Sequence, residues 1–565
     1  MNDTLKIILG LSGGLAIFIF GMNMMSESLQ KAAGEKMKTV LSLLTKNPIL
    51  GVLAGALTTA VLQSSSATTV MAIGFVSAGL MPLPQAISII LGANIGTTMT
   101  AQIIAFKITD YIYVFIFLGF FLSFISKNEK LKHIGQSIFS FGLLFLGIET
   151  MGDVMEPLAS STFFLNLIDK VADIPILGVC VGLFMTLVVQ SSSATIAVLQ
   201  NFAAQAGPDG VTSIIGLTGA IPILLGDNIG TTITAIIASI GQSKDARRTA
   251  FAHCIFNISG AVLFLFLVEP YAALIQYLSP KGNEVDVISR QIANAHTGFN
   301  LTMTLIWIPL IPIMVKIVMG LVPEKNGKVT IPPERPKYLD ERIVFQPAAA
   351  LQLVAKECIR LGTMVQEMLE EVKGTDIKDE VLLVERITEK AEIEHALFGN
   401  ISDYLTMMYS EGVLTEEQAA DTAGIMYVLC DMDRIAQLCK SITENIARQN
   451  ATKNKYSAEA LKQLQKSFGS ILDMYRDAMN AMVSGDDGKV KNFQKQKEEI
   501  MKLDKKMRKS HMERVGKKKC DAKLTIGFND ILHDIDRMGN SCVNLADAAL
   551  NSASVKFFKT IDMAE

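Results

Sequence analysis

From residue 48 to residue 106 the chain carries no Asp, Glu, Lys, Arg or His, and in the middle of that stretch stands QSSSAT, Gln63 to Thr68. An uncharged run of this length belongs in a bilayer or in a very large core. A polar cluster inside it must be satisfied by protein, because hydrocarbon offers no hydrogen bonds. The same hexapeptide returns at Gln190 to Thr195, within a stretch (174–243) that has no Lys, Arg or His. A single such cluster often does no more than bond to the carbonyl four residues back or let helices pack closely. Two copies at matching places point to a shared function.

Other landmarks recur in the same order. FGMNMMSESL (Phe20–Leu29) is echoed by LGIETMGDVMEPL (Leu146–Leu158), and LGANIGTTMTA (Leu91–Ala101) by LGDNIGTTITA (Leu225–Ala235). Membrane crossings are predicted at 7–25, 85–105, 111–126, 134–152, 213–240, 250–269 and 289–319, with 50–79 and 176–204 as the segments broken by the QSSS clusters. The first stretch, Ile7 to Met25, lacks a small-residue cleavage site and is expected to be a retained helix. Basic loops at 31–46, 127–132 and 244–248 should lie on the cytoplasmic side, and the acid-richer loops at 153–173 and 269–286 outside. These signs can be threaded only if both broken segments enter and leave on one side, the first from inside and the second from outside. The expected fold is therefore all-α: a polytopic membrane domain (1–320) of inverted repeats, about 5–126 and 134–320, with two re-entrant helical hairpins. A linker (321–346) and a cytosolic helical domain (347–565) follow.

The net charge of -3 averages two different materials and says little about partners. Seven scattered cysteines, Cys180, Cys254, Cys358, Cys430, Cys439, Cys520 and Cys542, form no CxxC pair and are read as reduced.

Inverted repeats with paired broken helices are the pattern of a secondary transporter whose site lies near the midplane. A break exposes N–H groups at one half-helix and carbonyls at the other. Around the breaks, Gln63, Ser64, Ser65, Ser66, Thr68 and Thr69, with Gln190, Ser191, Ser192, Ser193 and Thr195, offer oxygens suited to a hard cation and hydroxyl donors suited to an oxyanion. Asn94, Thr97, Thr98, Asn228, Thr231 and Thr232 add neutral ligands. Asp227 is the one carboxylate of that set, standing where the first repeat has Ala93. Without a fixed cation, a multivalent anion could be dehydrated there only with co-moving cations. The physics thus leaves two readings, a cation-coupled symporter, with Na+ the natural cation, or a carrier of a neutral solute.

QSSSAT in duplicate, each followed by G-x-N-I-G-T-T, resembles the type II sodium/phosphate cotransporters, and the helical tail is similar to that of their bacterial members with a PhoU-like domain. The resemblance covers about residues 5–320. It implies inorganic phosphate as substrate and Na+ as co-transported ion, with no organic cofactor, in the bacterial cytoplasmic membrane. It carries over Gln63 to Ser66 and Gln190 to Ser193 as phosphate contacts, with Gln63, Ser66, Gln190 and Ser193 shared with Na+. The Asn and Thr residues of the two GxNIGTT segments become Na+ ligands. Rival readings are a membrane-anchored phosphate sensor and a symporter of another oxyanion or a neutral solute. An intramembrane hydrolase lacks a base, since neither QSSS segment holds a His and neither forms a nucleophile elbow.

Another echo, AHCIFN (Ala252–Asn257) and AHTGFN (Ala295–Asn300), places a His and an Asn four residues apart. Either His253 and His296 serve a proton- or phosphate-sensitive step or they make polar helix–helix contacts; the second is more economical, and both are left out of the site.

Beyond the proline-rich linker the apolar period is helical. Thr415 with Gln418 fits a capping box, and SGDDGK (Ser484–Lys489) divides the tail into halves with room for three helices each. Val428, Met432, Ile435, Cys439 and Ile442 recur as Ile531, Ile535, Met538, Cys542 and Leu545, with Asp431, Asp433 and Arg434 over Asp534, Asp536 and Arg537. Tandem three-helix bundles are expected, and they resemble PhoU. In PhoU-like proteins that helix often carries E-x-x-x-D, which can hold a metal cluster; here the pairs read Asp433 with Gln437 and Asp536 with Asn540, each without its second carboxylate, which leaves a metal in doubt and favours acidic residues on a solvated face beside Arg434 and Arg537. The lysine-rich run 489–519 reads as a solvated face; nucleic acid is not a favoured partner. A homo-oligomer, and a cytosolic regulatory partner acting through the tail, are both compatible with the sequence.

Overall fold

The computed structural model describes residues 3–33, 47–106, 111–159, 170, 174–207, 209–323, 332–374, 380–410, 414–451, 456–485, 488, 490–551 and 557–559. The basic loop 34–46, most of the acidic loop 153–173, linker residues 324–331 and part of SGDDGK lie outside the described residues. The chain divides into two compact units, Met1–Asn326 and Gly327–Glu565. Among the described residues it is helical, and the one β-bridge pairs Ala206 with Ser213.

Unit 1 contains α1 (Asp3–Ala33), α2 (Pro48–Leu62), α3 (Ser65–Ser77), α4 (Leu83–Ile104), α5 (Ile112–Ile125) and α6 (Glu129–Ala159), followed by α7 (Pro175–Val189), α8 (Ser192–Ala203), α9 (Gly216–Ser239), α10 (Lys244–Leu265), α11 (Val268–Leu278) and α12 (Glu284–Leu321). Six of these, α1, α4, α6, α9, α10 and α12, are long and apolar enough to cross a membrane. Within the described residues α5, expected as a crossing over 111–126, has 14 residues, or about 21 Å at 1.5 Å per residue. The crossing predicted at 250–269 stops at Leu265, because Pro270 has no N–H to return to Phe266; a new helix, α11, starts with that proline in its first turn.

The local causes of α2 and α7 match. Each opens with a proline at its first position, and for α2 Asn47 caps the end by accepting from Leu50 N at 2.8 Å. Each closes on a glutamine in left-handed conformation, Gln63 at φ 51° and Gln190 at φ 54°. α2 then lies on α4, and α7 on α9. The approach is close enough that a Cβ at Gly92 would overlap the Val52 carbonyl, and one at Gly226 the Val179 carbonyl. Gly55 against Ile89 and Gly182 against Ile223 repeat the arrangement one turn on. Small residues let backbones meet where lipid supplies no hydrophobic drive between helices. The second helices lie on the long helix of their own half, α3 on α4 and α8 on α9, and also reach across, α3 to α9 and α10 and α8 to α4 and α12.

Among its described residues unit 2 has six α-helices, α13 (Pro347–Gly374), α14 (Glu380–Ser410), α15 (Glu416–Ala451), α16 (Ala458–Ser484), α17 (Phe493–Gly516) and α18 (Thr525–Asn551). The first three pack together, as do the last three, and the sets meet through α15 on α18 and α13 on α16. The two apolar stripes read from the sequence are fully buried. Thr415 N donates to Gln418 Oε1 at 3.0 Å and Gln418 N to Thr415 Oγ1 at 3.2 Å, a reciprocal cap that starts α15.

Two features of this unit differ from the sequence reading. Part of the segment expected as linker is fastened to α13: buried Glu357 accepts from the backbone N–H groups of Lys337 and Tyr338, and Arg360 donates to the carbonyls of Pro333 and Arg335. Proline prevented helix there without preventing docking. Asp431 and Asp534 do pair with Arg434 and Arg537, yet both are nearly buried and reach across the sets, Asp534 accepting from Ser441 at 2.9 Å and Asp431 from Asn544 at 3.3 Å. Periodicity showed which helix they ride on but not the helix packed opposite.

Candidate functional site

Each QSSS cluster is built the same way. The glutamine turns the chain at positive φ, the first serine caps the next helix, and the following residues form that helix's first turn. Ser64 Oγ accepts from Ala67 N at 3.2 Å and Ser191 Oγ from Ala194 N at 3.3 Å. Ser65 and Ser192 open α3 and α8. The N–H groups of these first turns are an anion-favouring environment.

Threonines stabilise the corner. Thr59 Oγ1 donates to Thr68 Oγ1 at 2.8 Å in the first copy, and Thr186 Oγ1 lies 3.3 Å from Thr195 Oγ1 in the second. Thr59 and Thr186 stand four residues before Gln63 and Gln190 and were missed in the sequence reading; the repeat itself, extended upstream, could have found them. Thr68 and Thr195 each also donate to the serine carbonyl four residues earlier, at 3.2 Å. Thr69 is buried with no hydrogen-bond partner for its hydroxyl.

The two copies differ in two ways. Thr186 Oγ1 also donates to Asp227 Oδ1 at 2.6 Å, while Asp227 Oδ2 is buried with no partner. The first copy has Ala93 at that place and so no carboxylate. Second, Gln63 is 7 % exposed, with Oε1 accepting from Thr100 at 2.9 Å, whereas Gln190 is exposed. The glutamine corners share a backbone and differ in access.

The GxNIGTT segments lie inside α4 and α9. Thr97 and Thr231 donate to the carbonyls of Ala93 and Asp227, and Thr98 and Thr232 to those of Ile95 and Ile229. Asn94 and Asn228 are buried and face α10 and α12. Ser66 Oγ meets Thr234 Oγ1 at 3.3 Å, joining the first cluster to the second GxNIGTT helix. Ser193 is buried in the first turn of α8. The structure thus groups Thr195 with Thr186 and Asp227, Thr68 with Thr59, and Gln63 with Thr100. Among the described residues no hydrogen bond links Gln63–Ser66 directly to Gln190–Ser193.

This is a helical membrane protein in which long apolar helices accompany two matched polar corners, the first buried and the second exposed at its glutamine. The family model described as Na+/Pi-cotransporter matches residues 17–153 and again 151–280, and the PhoU domain model matches 464–549. A Bacillus subtilis protein named "Uncharacterized protein YqeW" is 32 % identical over 319 residues, 56 % of this chain and 99 % of that protein. The Salmonella typhimurium protein named "Putative inorganic phosphate export protein YjbB" is 23 % identical over 548 residues, 96 % of this chain and 97 % of that one. Rat "Sodium-dependent phosphate transport protein 2A" is 37 % identical over 95 residues, 16 % of this chain and 15 % of that one. No solved structure matches. The chain belongs to the Na+/Pi-cotransporter family, a family of phosphate transporters, and carries a C-terminal PhoU domain.

Proposed function

We propose that the protein moves inorganic phosphate together with Na+ across the bacterial cytoplasmic membrane by alternating access, through a site shared by the two QSSS corners. The observation that carries this reading is a pair of glutamine corners with the same left-handed backbone, one buried and one exposed. Two equivalent elements in unequal states are what a carrier needs if exchanging their states is its transport step. The succession of two family-model matches supports reading the halves as repeats, which we take to be inverted, with α2–α3 and α7–α8 as re-entrant hairpins.

In this mechanism the first-turn N–H groups and hydroxyls of Ser64 to Ser66 and Ser191 to Ser193 hold phosphate oxygens. Its charge is balanced by Na+ held among Asp227, Thr186, Thr195, Thr68, Thr69 and the threonines of the GxNIGTT segments. The unpartnered Asp227 oxygen supplies the strongest cation ligand of that set. Na+ raises phosphate affinity by removing the cost of dehydrating a bare anion. The C-terminal domain, on the cytosolic side, regulates transport.

The direction of net flow follows the sum of the Na+ and phosphate gradients, since a symporter is reversible. An exporting role is a second reading, favoured by the end-to-end similarity to a protein named for phosphate export. Uptake of labelled phosphate into proteoliposomes tests both, with an inward Na+ gradient set against an equal K+ gradient and arsenate and sulfate as competitors. Na+-driven accumulation blocked by arsenate but not sulfate supports symport, and loss of preloaded phosphate on external Na+ removal shows the outward mode. Binding without accumulation overturns the carrier reading in favour of a sensor.

A further inference from the structure

The two AHxxFN motifs converge on the GxNIGTT segments with one geometry. At the first GxNIGTT segment, His253 Nε2 on α10 lies 3.4 Å from Asn94 Oδ1, and Asn257 Nδ2 lies 3.5 Å from the same oxygen. At the second, His296 Nε2 on α12 lies 3.4 Å from Asn228 Oδ1, and Asn300 Nδ2 also 3.4 Å. Asn257 and Asn300 each use their amide again, on the carbonyls of His253 and His296 at 3.1 and 3.0 Å. Asn94 and Asn228 spend an N–H on the carbonyls of Ile90 and Leu224 at 2.9 and 2.8 Å. All six side chains are 5 % exposed or less.

We propose that His253 with Asn257, and His296 with Asn300, are positioning residues for the Na+ site: they hold the carboxamides of Asn94 and Asn228, and through them set the GxNIGTT turns that present the cation ligands. The inference rests on the Na+-coupled reading above, and it changes the part assigned to the two asparagines. An oxygen facing two N–H donors is not free to ligate a cation, so Asn94 and Asn228 fasten α4 to α10 and α9 to α12 instead of touching Na+. Facing an amide oxygen, each imidazole presents Nε2–H, which leaves Nδ1 as the acceptor; Nδ1 of both histidines and Oδ1 of Asn257 and Asn300 are buried with no partner. The contacts to Asn Oδ1 sit at the long end of the hydrogen-bond range, so each clamp holds the turn while allowing small adjustments as ions arrive.

The halves are not equivalent. Asn228 directly follows Asp227, whereas Asn94 follows Ala93. Loosening the second clamp therefore moves the carboxylate, and loosening the first moves only neutral ligands.

The test compares His296→Leu, His296→Gln, His253→Leu and His253→Gln with the wild type in full-length protein in proteoliposomes. It measures the Na+ concentration for half-maximal uptake and, separately, the phosphate KM at saturating Na+. Losing a buried hydrogen bond that orders a ligand should raise the Na+ requirement roughly fivefold to tenfold in His296→Leu. The rise should be smaller in His253→Leu, the phosphate KM should hold, and Gln, whose amide can stand where Nε2–H stood, should restore most of the loss. Should His296→Leu not fold, Asn300→Leu removes the second donor and should raise the Na+ requirement roughly threefold by the same logic. Wild-type protein with no Na+ dependence would refute the coupled reading and this inference together. A Na+-dependent wild type with unchanged half-saturation in the variants, or with Gln no better than Leu, refutes the inference alone.

Discussion

Replacing Gly226 by alanine tests whether the close seat of α7 on α9 sets the site. The added methyl would overlap the Val179 carbonyl oxygen and stand 2.8 Å from Leu183 N. An ordinary C···O contact is about 3.3 Å, so α7 must retreat from α9 by something on the order of 1 Å. Overpacking of this kind costs about 1–3 kcal/mol. Thr186, one turn beyond Leu183, travels with α7, and its 2.6 Å bond to Asp227 cannot survive that displacement intact. A buried carboxylate losing its donor adds about 1–3 kcal/mol. The expected total of roughly 2–6 kcal/mol should appear as a lower melting temperature and a Na+ requirement raised more than tenfold in proteoliposome uptake. Gly92→Ala meets the Val52 carbonyl in the first half, where no carboxylate is at stake; it should lose stability with a smaller effect on Na+. Gly13→Ala, with nothing within 4 Å of the new methyl, is the neutral control. Normal Na+ dependence in Gly226→Ala, with the protein folded, would refute the idea that this helix contact positions Thr186 and Asp227.

Three further outcomes are expected. Thr186→Val should raise the Na+ requirement severalfold, whereas Thr59→Val, which loses only a neutral hydroxyl pair worth about 1 kcal/mol, should change stability more than ion dependence; uptake titrated against Na+ separates them. Gln63→Gly relieves the positive φ but leaves the buried Thr100 hydroxyl without its acceptor, so uptake should fall while these opposing effects of about 1–2 kcal/mol each keep the melting temperature near that of the wild type; Gln63→Val should lose a further ~1–2 kcal/mol of stability, because a β-branched residue resists positive φ. In the helical domain, burial, reinforced by the charge of Asp433, pushes Glu394 up from the usual 4.5 to about 9. Folding therefore raises this carboxyl's affinity for its proton, and the stability it contributes is full below about pH 4.5 and is lost as pH rises towards about 9. Glu394→Gln should remove that slope, gaining at most about 4 kcal/mol by pH 7.5 at 1.36 kcal/mol per unit. Amide hydrogen exchange across α14 at about pH 6 and about pH 8.5, corrected for intrinsic rates, reads the difference; an unchanged pH slope would show that Glu394 is already ionised in the fold.

The helical class, the break at each QSSS cluster and the two buried stripes of the tail were legible in the sequence because each depends on local chemistry. A proline opens α2 and α7, a serine caps α3 and α8, and a period of three to four apolar residues marks a buried helix face wherever that face comes to lie. Duplication made the signal legible twice. Pairings across helices were not legible. Nothing local to Thr186 says that Asp227, 41 residues on, will accept its hydrogen bond; that follows from Gly182 and Gly226 letting two backbones meet. His253 and His296 were visible as an echo, but their partners, Asn94 and Asn228, belong to helices brought alongside by packing. The linker prolines ruled out helix and left open that buried Glu357 would gather the backbone that follows them. The exposure of Gln190 against the burial of Gln63 is furthest from the sequence, since two identical hexapeptides with the same backbone angles differ only in what the rest of the chain lays over them. Sequence alone determined the local conformations and the repeat; long-range packing decided which oxygens face one another, because a side chain's partner is set by distance in space and not by spacing along the chain.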